Sequence, residues 1–315
     1  MRIIKRVVLA LLLLAVALVG CVYLAPGATT RFFINVERAR SGLERKEITL
    51  PNSDVRIVYL EGGQGEPLML LHGFSDDKDN FVYVARALVH HYHVIIPDIN
   101  GFGESSRPQG ASYGTAAQVE RLHAMAQALG LKQLHLGGSS MGGQIALVYA
   151  ATYPTQVQSL WLLDAGGLRN VPASDMAQQE KARASQPPAS ADSKAKFDAE
   201  ADQAMSDPPF IPKPMMDYIG QERAKNEAME KIIGHDLGLE PGLESRIGGL
   251  ATPSLIVWGG QDHMINPAAA QIFHGLLPHS QVIVMPGAGH LPMLEQPEQS
   301  AADYIQFRTK LAAGS

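Results

Sequence analysis

The chain of 315 residues is long enough for one large domain or two ordinary ones. Its 46% hydrophobic and 18% charged residues exclude a disordered, collagen-like or polytopic membrane protein. Residues 1–46 contain eight Lys or Arg and two Asp or Glu, whereas the remainder contains 18 and 29. Such an acidic body lacks a basic face for phosphates, which excludes nucleic acid as a partner. The single cysteine, Cys21, leaves the body without a disulfide, Cys-ligated metal or cysteine nucleophile.

An uncharged apolar run covers residues 7–25 and follows three basic residues. As a helix rising about 1.5 Å per residue, it nearly crosses a hydrocarbon core of ~30 Å. The sequence therefore predicts a signal anchor or transmembrane helix over residues 1–27, with the body outside the cytoplasm. Two alternatives stay open. In the first, the segment 18–21, which resembles a lipobox, is the site at which Cys21 is lipidated. In the second, the signal is cleaved and the body is released.

A second helix is predicted over residues 28–46, where four apolar positions form one stripe: Phe32, Val36, Ala39 and Leu43. It is either a linker packed on the body or a juxtamembrane helix at the lipid surface, in which case membrane lipids are a partner. A homodimer through the N-terminal helices is a further possibility that the pattern leaves open.

Short β-rich runs alternate with helical stretches over residues 47–164 and again over residues 247–315. This alternation predicts an α/β fold with a mostly parallel sheet and helices on both faces. The expected strands are residues 55–60, 68–71, 93–96, 134–137, 159–163, 254–258 and 281–285. Residues 165–246 show no convincing strand and are rich in Ala, Gln, Lys, Asp and Pro. They are expected to form a helical cap insertion.

Ser140 is the predicted nucleophile. It is the central serine of Gly-Ser-Ser-Met-Gly, a G-x-S-x-G motif between the predicted strand 134–137 and a helix that starts near Met141. The glycines allow the sharp strand-to-helix turn that exposes a serine hydroxyl at the helix N-terminus. The neighbouring Ser139 does not lie at the apex of that turn.

A serine hydroxyl needs a general base, and the base needs an orienting carboxylate. His290 lies on a glycine-rich loop after the last predicted strand, and is the expected base. Asp262 follows the penultimate strand and is the expected acid. Asp164, at the end of the strand before it, is the rival and is expected to fix the start of the cap. The order Ser140, Asp262, His290 is the order that a hydrolase sheet imposes.

The tetrahedral intermediate needs backbone donors directed at its oxyanion. Phe74 ends the sequence His-Gly-Phe after the first central strand, and Met141 follows the nucleophile. Their N–H groups are the predicted oxyanion hole. The other histidines show no metal-ligand spacing, so no metal site is expected.

These motifs resemble the α/β-hydrolase superfamily, and more narrowly small bacterial lipases and membrane-anchored phospholipases A. The shared segments are His72–Phe74, Pro97–Ser106, Gly138–Gly143, Trp258–Asp262 and Gly289–Glu295. The resemblance implies hydrolysis of lipid or fatty-acyl esters through an acyl-enzyme, without metal or organic cofactor, at the bacterial cytoplasmic (inner) membrane. A carboxylesterase for small soluble esters and a carbon–carbon bond hydrolase remain alternatives, and so does a non-enzymatic binding protein.

The later part of the cap supplies candidate substrate-binding residues: Met205, Phe210, Ile211, Met215, Met216 and Tyr218. An apolar cap over an apolar cleft shields an acyl chain from water, and methionines adapt to several chain lengths. The alternative is that these side chains form only the packed interior of the cap.

Overall fold

The computed structural model describes residues 2–184 and 203–314. The strands are β1 (Glu44–Thr49), β2 (Arg56–Gly62), β3 (Glu66–Leu71), β4 (Tyr92–Pro97), β5 (Leu134–Ser139), β6 (Val157–Leu163), β7 (Ser254–Gly259) and β8 (Ser280–Met285). They form one sheet in the order β1-β2-β4-β3-β5-β6-β7-β8. β2 runs antiparallel to both of its neighbours, and the other pairs are parallel. The predicted α/β fold with a mostly parallel sheet is confirmed.

Helices pack on both faces of this sheet. The described helices are α1 (Arg2–Leu24), α2 (Pro26–Arg40), α3 (Val82–Leu88), α4 (Thr115–Ala128), α5 (Met141–Thr152), α6 (Asp175–Ala184), α7 (Lys213–Ala224), α8 (Glu227–Gly238), α9 (Glu244–Ile247), α10 (Ala269–Leu276), α11 (Pro292–Glu295) and α12 (Pro297–Ala313). Those that pack on the sheet include α3, α4, α5, α10 and α12. Alternate side chains of β3 enter two separate cores: Leu68 and Leu70 pack on one face, and Met69 and Leu71 on the other. A central parallel strand is buried on both faces, so it reads as a continuous apolar run.

The second predicted helix ends earlier than expected. It was placed over residues 28–46, but α2 ends at Arg40 and β1 begins at Glu44. Gly42, at φ +65°, adopts the left-handed backbone that ends a helix. The following residues pair with β2 along its length. α2 lies against the body, because Arg38 donates Nε and Nη2 to the two carboxylate oxygens of Asp79, each at 2.6 Å.

The predicted membrane span lies in α1. Among the residues that the structure describes, no helix is long and apolar enough to cross a membrane. This finding does not support the membrane-spanning helix predicted over residues 1–27.

Between β6 and β7 the described residues form helices and no strand, in line with the predicted interruption of the sheet. Residues 185–202 of the predicted cap lie outside the part that the structure describes. Carboxylates near the end of α8 attach this region to the body. Asp236 accepts the N–H of Tyr113 at 2.7 Å, and Glu240 accepts a hydrogen bond from Gln144 at 3.1 Å.

Candidate active site

Ser140 lies on the turn between β5 and α5, with φ +52° and ψ −118°. A positive φ is strained for a residue with a side chain, and persists only where the surroundings hold it. Here the backbone is held on several sides. The N–H of Ser140 donates to the carbonyl of Leu163 at 3.0 Å, and its own carbonyl accepts the N–H groups of Gln144 and Gly166. The hydroxyl is therefore presented on a fixed backbone at the end of β5.

The glycines of the motif are needed because backbone segments approach closely around the serine. A Cβ on Gly138 would lie 2.3 Å from the carbonyl carbon of Gly142. A Cβ on Gly142 would lie 2.0 Å from the carbonyl oxygen of Leu71, at the end of β3. Either side chain would displace backbone rather than a flexible side chain. This packing brings the loop after β3 next to the nucleophile.

Asp262 and His290 meet at the same edge of the sheet, since they follow the neighbouring parallel strands β7 and β8. His290 Nδ1 lies 2.8 Å from Asp262 Oδ2, and both side chains are buried. Asp262 Oδ1 accepts the N–H groups of Met264 and Ile265 at 2.8 and 3.0 Å. Burial alone would raise the pKa of Asp262, but His290 and these hydrogen bonds hold it below its usual value. An ionised Asp262 fixes Nδ1 as the protonated nitrogen and leaves Nε2 as the proton acceptor.

The loop that carries His290 is bound to the end of the cap. The N–H of His290 donates to the carbonyl of Ala204 at 2.7 Å. Glu295, on α11, accepts the N–H of Gly289 at 2.9 Å and that of Ser206 at 2.7 Å. The glutamate of the Gly289–Glu295 motif therefore positions the loop on which the base lies.

The predicted oxyanion-hole residues lie on the two segments that border Ser140. A Cβ built on Gly73 would lie 3.4 Å from Ser140 Cβ, which places the loop after β3 beside the nucleophile. Phe74 comes next in that loop, and its ring contacts Phe102 edge to face at 5.6 Å between centroids. Met141 is buried at the first position of α5. This placement is compatible with backbone donors on both sides of one site.

A buried ion pair that the sequence did not reveal supports the loop after β3. Lys78 is 1% exposed, and its Nζ lies 2.8 Å from Asp98 and 2.9 Å from Glu104. Its backbone N–H also donates to Asp98, at 2.9 Å. Partial burial would raise the pKa of Glu104, but Lys78 and Arg45 lower it to about 2. Lys78 stands in a polar run that reads as a solvated loop, so no local signal indicated its burial.

A partly exposed ion pair joins the cap to this loop. Arg223, on α7, lies 3.0 Å from Asp76. The carboxylate of Asp76 is near the nucleophile, because a Cβ on Gly73 would lie 3.1 Å from Asp76 Oδ2. The cap therefore places a positive charge against a carboxylate that lies beside Gly73. Nothing in the spacing of the two residues predicts this contact.

The structure distributes the candidate substrate-binding residues over different environments. Phe210 is 93% exposed, whereas Met215 is buried and Met205 packs against the core. The Tyr218 hydroxyl accepts a hydrogen bond from Arg31 of α2 at 2.6 Å, so this ring faces the N-terminal helix. Ile211 and Met216 are both half-buried. A common acyl-chain tunnel lined by all six side chains stays a prediction.

Comparison with known proteins agrees with this geometry. The family described as the alpha/beta hydrolase fold matches residues 66–297. Lipase 1 of Psychrobacter immobilis is 41% identical, over 96% of both chains. Lipase 3 of Moraxella sp. (strain TA144) is also 41% identical, over 98% of both chains. The crystal structure of a membrane phospholipase A matches with a TM-score of 0.85 at 34% identity, covering 98% of this chain and 99% of that one.

Proposed function

Because the chain belongs to the α/β-hydrolase family, we propose that it is a lipase-type carboxylic ester hydrolase that cleaves acyl esters of lipids. The observation that carries the proposal is the buried Asp262–His290 pair, 2.8 Å apart, at the sheet edge where Ser140 occupies a strained turn. A nucleophile, a base and an orienting carboxylate at one edge are the groups that acyl transfer requires.

The proposed reaction begins when Ser140 Oγ attacks the ester carbonyl and His290 Nε2 takes the hydroxyl proton. Asp262 stabilises the resulting imidazolium through Nδ1. The N–H groups of Phe74 and Met141 bind the oxyanion, and the intermediate collapses as the imidazolium protonates the leaving alcohol. Water, deprotonated by His290, then hydrolyses the acyl-enzyme and regenerates the free serine.

The lipid nature of the substrate is supported by the relatives. Two curated proteins that match almost the whole chain are named lipases, and a solved structure of similar extent is a membrane phospholipase A. The helical region between β6 and β7 acts as a cap in this proposal. This role is supported by the hydrogen bond that the His290 N–H donates to the Ala204 carbonyl and by the Arg223–Asp76 pair.

The test compares Ser140→Ala with its neighbour Ser139→Ala as the matched control. Ser139 is fully buried and its hydroxyl has no hydrogen-bond partner among the described residues, so its loss should leave the site intact. We expect Ser140→Ala to lose at least about 10⁴-fold in kcat and all labelling by a fluorophosphonate, while the control keeps most activity. The reverse result would refute the assigned nucleophile.

The substrate class is tested separately with wild-type protein on short-chain esters, triacylglycerols and phospholipids in mixed micelles. Fatty acid release from either lipid supports the proposal. Hydrolysis of short water-soluble esters alone would leave a general carboxylesterase, with the same Ser140-dependent chemistry.

A further inference from the structure

Asp164 is a buried carboxyl group that the proposed reaction does not use. It follows the last residue of β6, is 0% exposed, and has φ +46°. Its Oδ1 accepts the N–H of Gly259, at the end of β7, at 2.8 Å. Its Oδ2 is buried and has no hydrogen-bond partner among the described residues. The side chain is therefore directed at the neighbouring strand, and its expected role at the start of the cap stays a prediction.

Asp164 lies beside the candidate site. One carboxylate oxygen of Asp164, one of Asp262 and one ring nitrogen of His290 lie within 4.8 Å of one another. The carboxylate of Asp262 accepts three hydrogen bonds from described donors, namely two backbone N–H groups and the imidazole. A carboxylate has about four acceptor positions, so Asp262 has room for one more donor. A hydrogen on Asp164 Oδ2 is a donor of the right kind in that place.

Two buried carboxyl groups within 4.8 Å of each other cannot both be ionised at low cost. Asp262 retains the charge, since it receives three donors whereas Asp164 receives one. Burial is the largest effect on Asp164, and the charge of Asp262 is next; together they raise the pKa of Asp164 well above its usual value. Glu295 of α11 adds to this, and the Gly259 N–H opposes it. His290, on the loop after β8, is the third member of this cluster among the described residues.

We propose that Asp164 is a neutral carboxylic acid that donates a hydrogen bond to the Asp262 carboxylate and thereby positions the Asp262–His290 pair. Asp164 is a positioning residue, because it acts on the base through Asp262 and touches no reacting atom. Its hydrogen bond takes up part of the charge on Asp262 and sets how strongly that carboxylate holds the imidazolium. The kinetic consequence rests on the proposed function, whereas the protonation state does not.

The protonation state is tested on the full chain by infrared difference spectroscopy of wild type against Asp164→Asn at about pH 8. At this pH Asp79 is ionised, although burial and the charge of Asp77 raise its pKa to about 6. We expect the wild type to show the carbonyl stretch of a protonated carboxylic acid that the variant lacks. Identical spectra in that region would overturn the proposal. Because no substrate is used, this result is independent of whether Ser140 is a nucleophile.

The positioning role is tested by the acid limb of the pH profile of kcat/KM, which reports the base in the free enzyme. Asp164→Asn keeps a neutral donor for Asp262 and an acceptor for the Gly259 N–H, and Asn tolerates a positive φ. We expect its limb to stay within about 0.3 units of the wild type and its kcat within about threefold. If Asp164 were ionised, the substitution would instead remove a negative charge next to the Asp262–His290 pair. The acid limb would then move down by about one pH unit or more.

Asp164→Gly separates the hydrogen bond from the backbone, because glycine adopts φ +46° without strain but supplies no donor. We expect Asp262 to become more basic in this variant, so the acid limb moves up by about half a unit or more and kcat falls at least about tenfold. Circular dichroism and thermal unfolding confirm that each variant is folded. A folded Asp164→Gly protein with the wild-type profile and kcat would overturn the proposal.

Discussion

Replacing Asp262 by Asn removes one charge from the candidate site with almost no change in size. The structure fixes how the amide is placed. The N–H groups of Met264 and Ile265 donate to Oδ1, so the amide oxygen must occupy that position. The amide NH₂ then faces His290 Nδ1, which lies 2.8 Å from Oδ2 in the wild type. Two donors cannot share one hydrogen bond, so Nδ1 becomes the acceptor and the proton moves to Nε2.

That tautomer cannot take the proton of Ser140. In a protease triad the same exchange costs about 10⁴ in kcat, which corresponds to about 5.5 kcal/mol at 1.36 kcal/mol per tenfold. We expect a loss close to this for Asp262→Asn, with KM changed by less than about threefold, since the substrate contacts remain. Initial rates with a chromogenic ester give kcat and KM, and thermal unfolding shows whether the variant is folded. A folded variant that loses less than about tenfold, beside a large loss in Asp164→Asn, would refute the choice of Asp262.

Two further predictions concern groups away from the catalytic pair. Burial is the main reason that the pKa of His135 is lowered to about 4, below the value near 6.5 in the unfolded chain. Between these two pH values the unfolded chain binds more protons than the folded protein. The free energy of unfolding therefore falls as the pH falls from about 6.5 to about 4. Urea unfolding of the wild type and of His135→Gln measures the free energy of unfolding at each pH. Between about pH 4.5 and 7.5 we expect this free energy to change by about 2–3 kcal/mol less in the variant than in the wild type. An equal change with pH in both proteins would contradict this. Arg223→Gln removes the cation that faces Asp76 on the loop after β3, so we expect kcat to fall about tenfold. Adding Asp76→Asn should restore part of this loss in the double variant. Simply additive losses would show that the two charges are not coupled.

Most of the fold was predictable from the sequence, because buried parallel strands read as apolar runs between helices. Seven strands were expected near their observed positions. The missing one, β1, is an edge strand whose side chains are mostly exposed, so it carries no apolar alternation. The first residues of β1 fall within the helix predicted over residues 28–46, because Leu43 continues the apolar stripe of that helix. Only the pairing with β2 identifies the segment as a strand, and that contact is not local in sequence.

The candidate pair of Asp262 and His290 could be anticipated because each residue lies in the loop after a strand that the sequence reveals. The ion pairs of Lys78 and Arg223 could not be anticipated, because each residue stands in a polar segment. Lys78 pairs with a residue 20 positions away, and Arg223 with one 147 positions away. The proximity of Asp164 to Asp262 depends on β6 and β7 being neighbours in the sheet. The motif order indicates which strands carry functional groups, but it does not give the distance between the two carboxyl groups.

The hydrogen bonds of Glu295 also bear on the order in which the molecule assembles. This side chain joins the loop of His290 to Ser206, which is 89 residues earlier in the chain. Closing so long a segment carries an entropic cost that must be met before the contact stabilises anything. During synthesis the end of the cap leaves the ribosome well before β8 and α11, so its hydrogen bonds to Glu295 and His290 form only after the C-terminal part has emerged. The loop that carries His290 therefore gains its contacts with the cap only when the C-terminal part of the chain is in place.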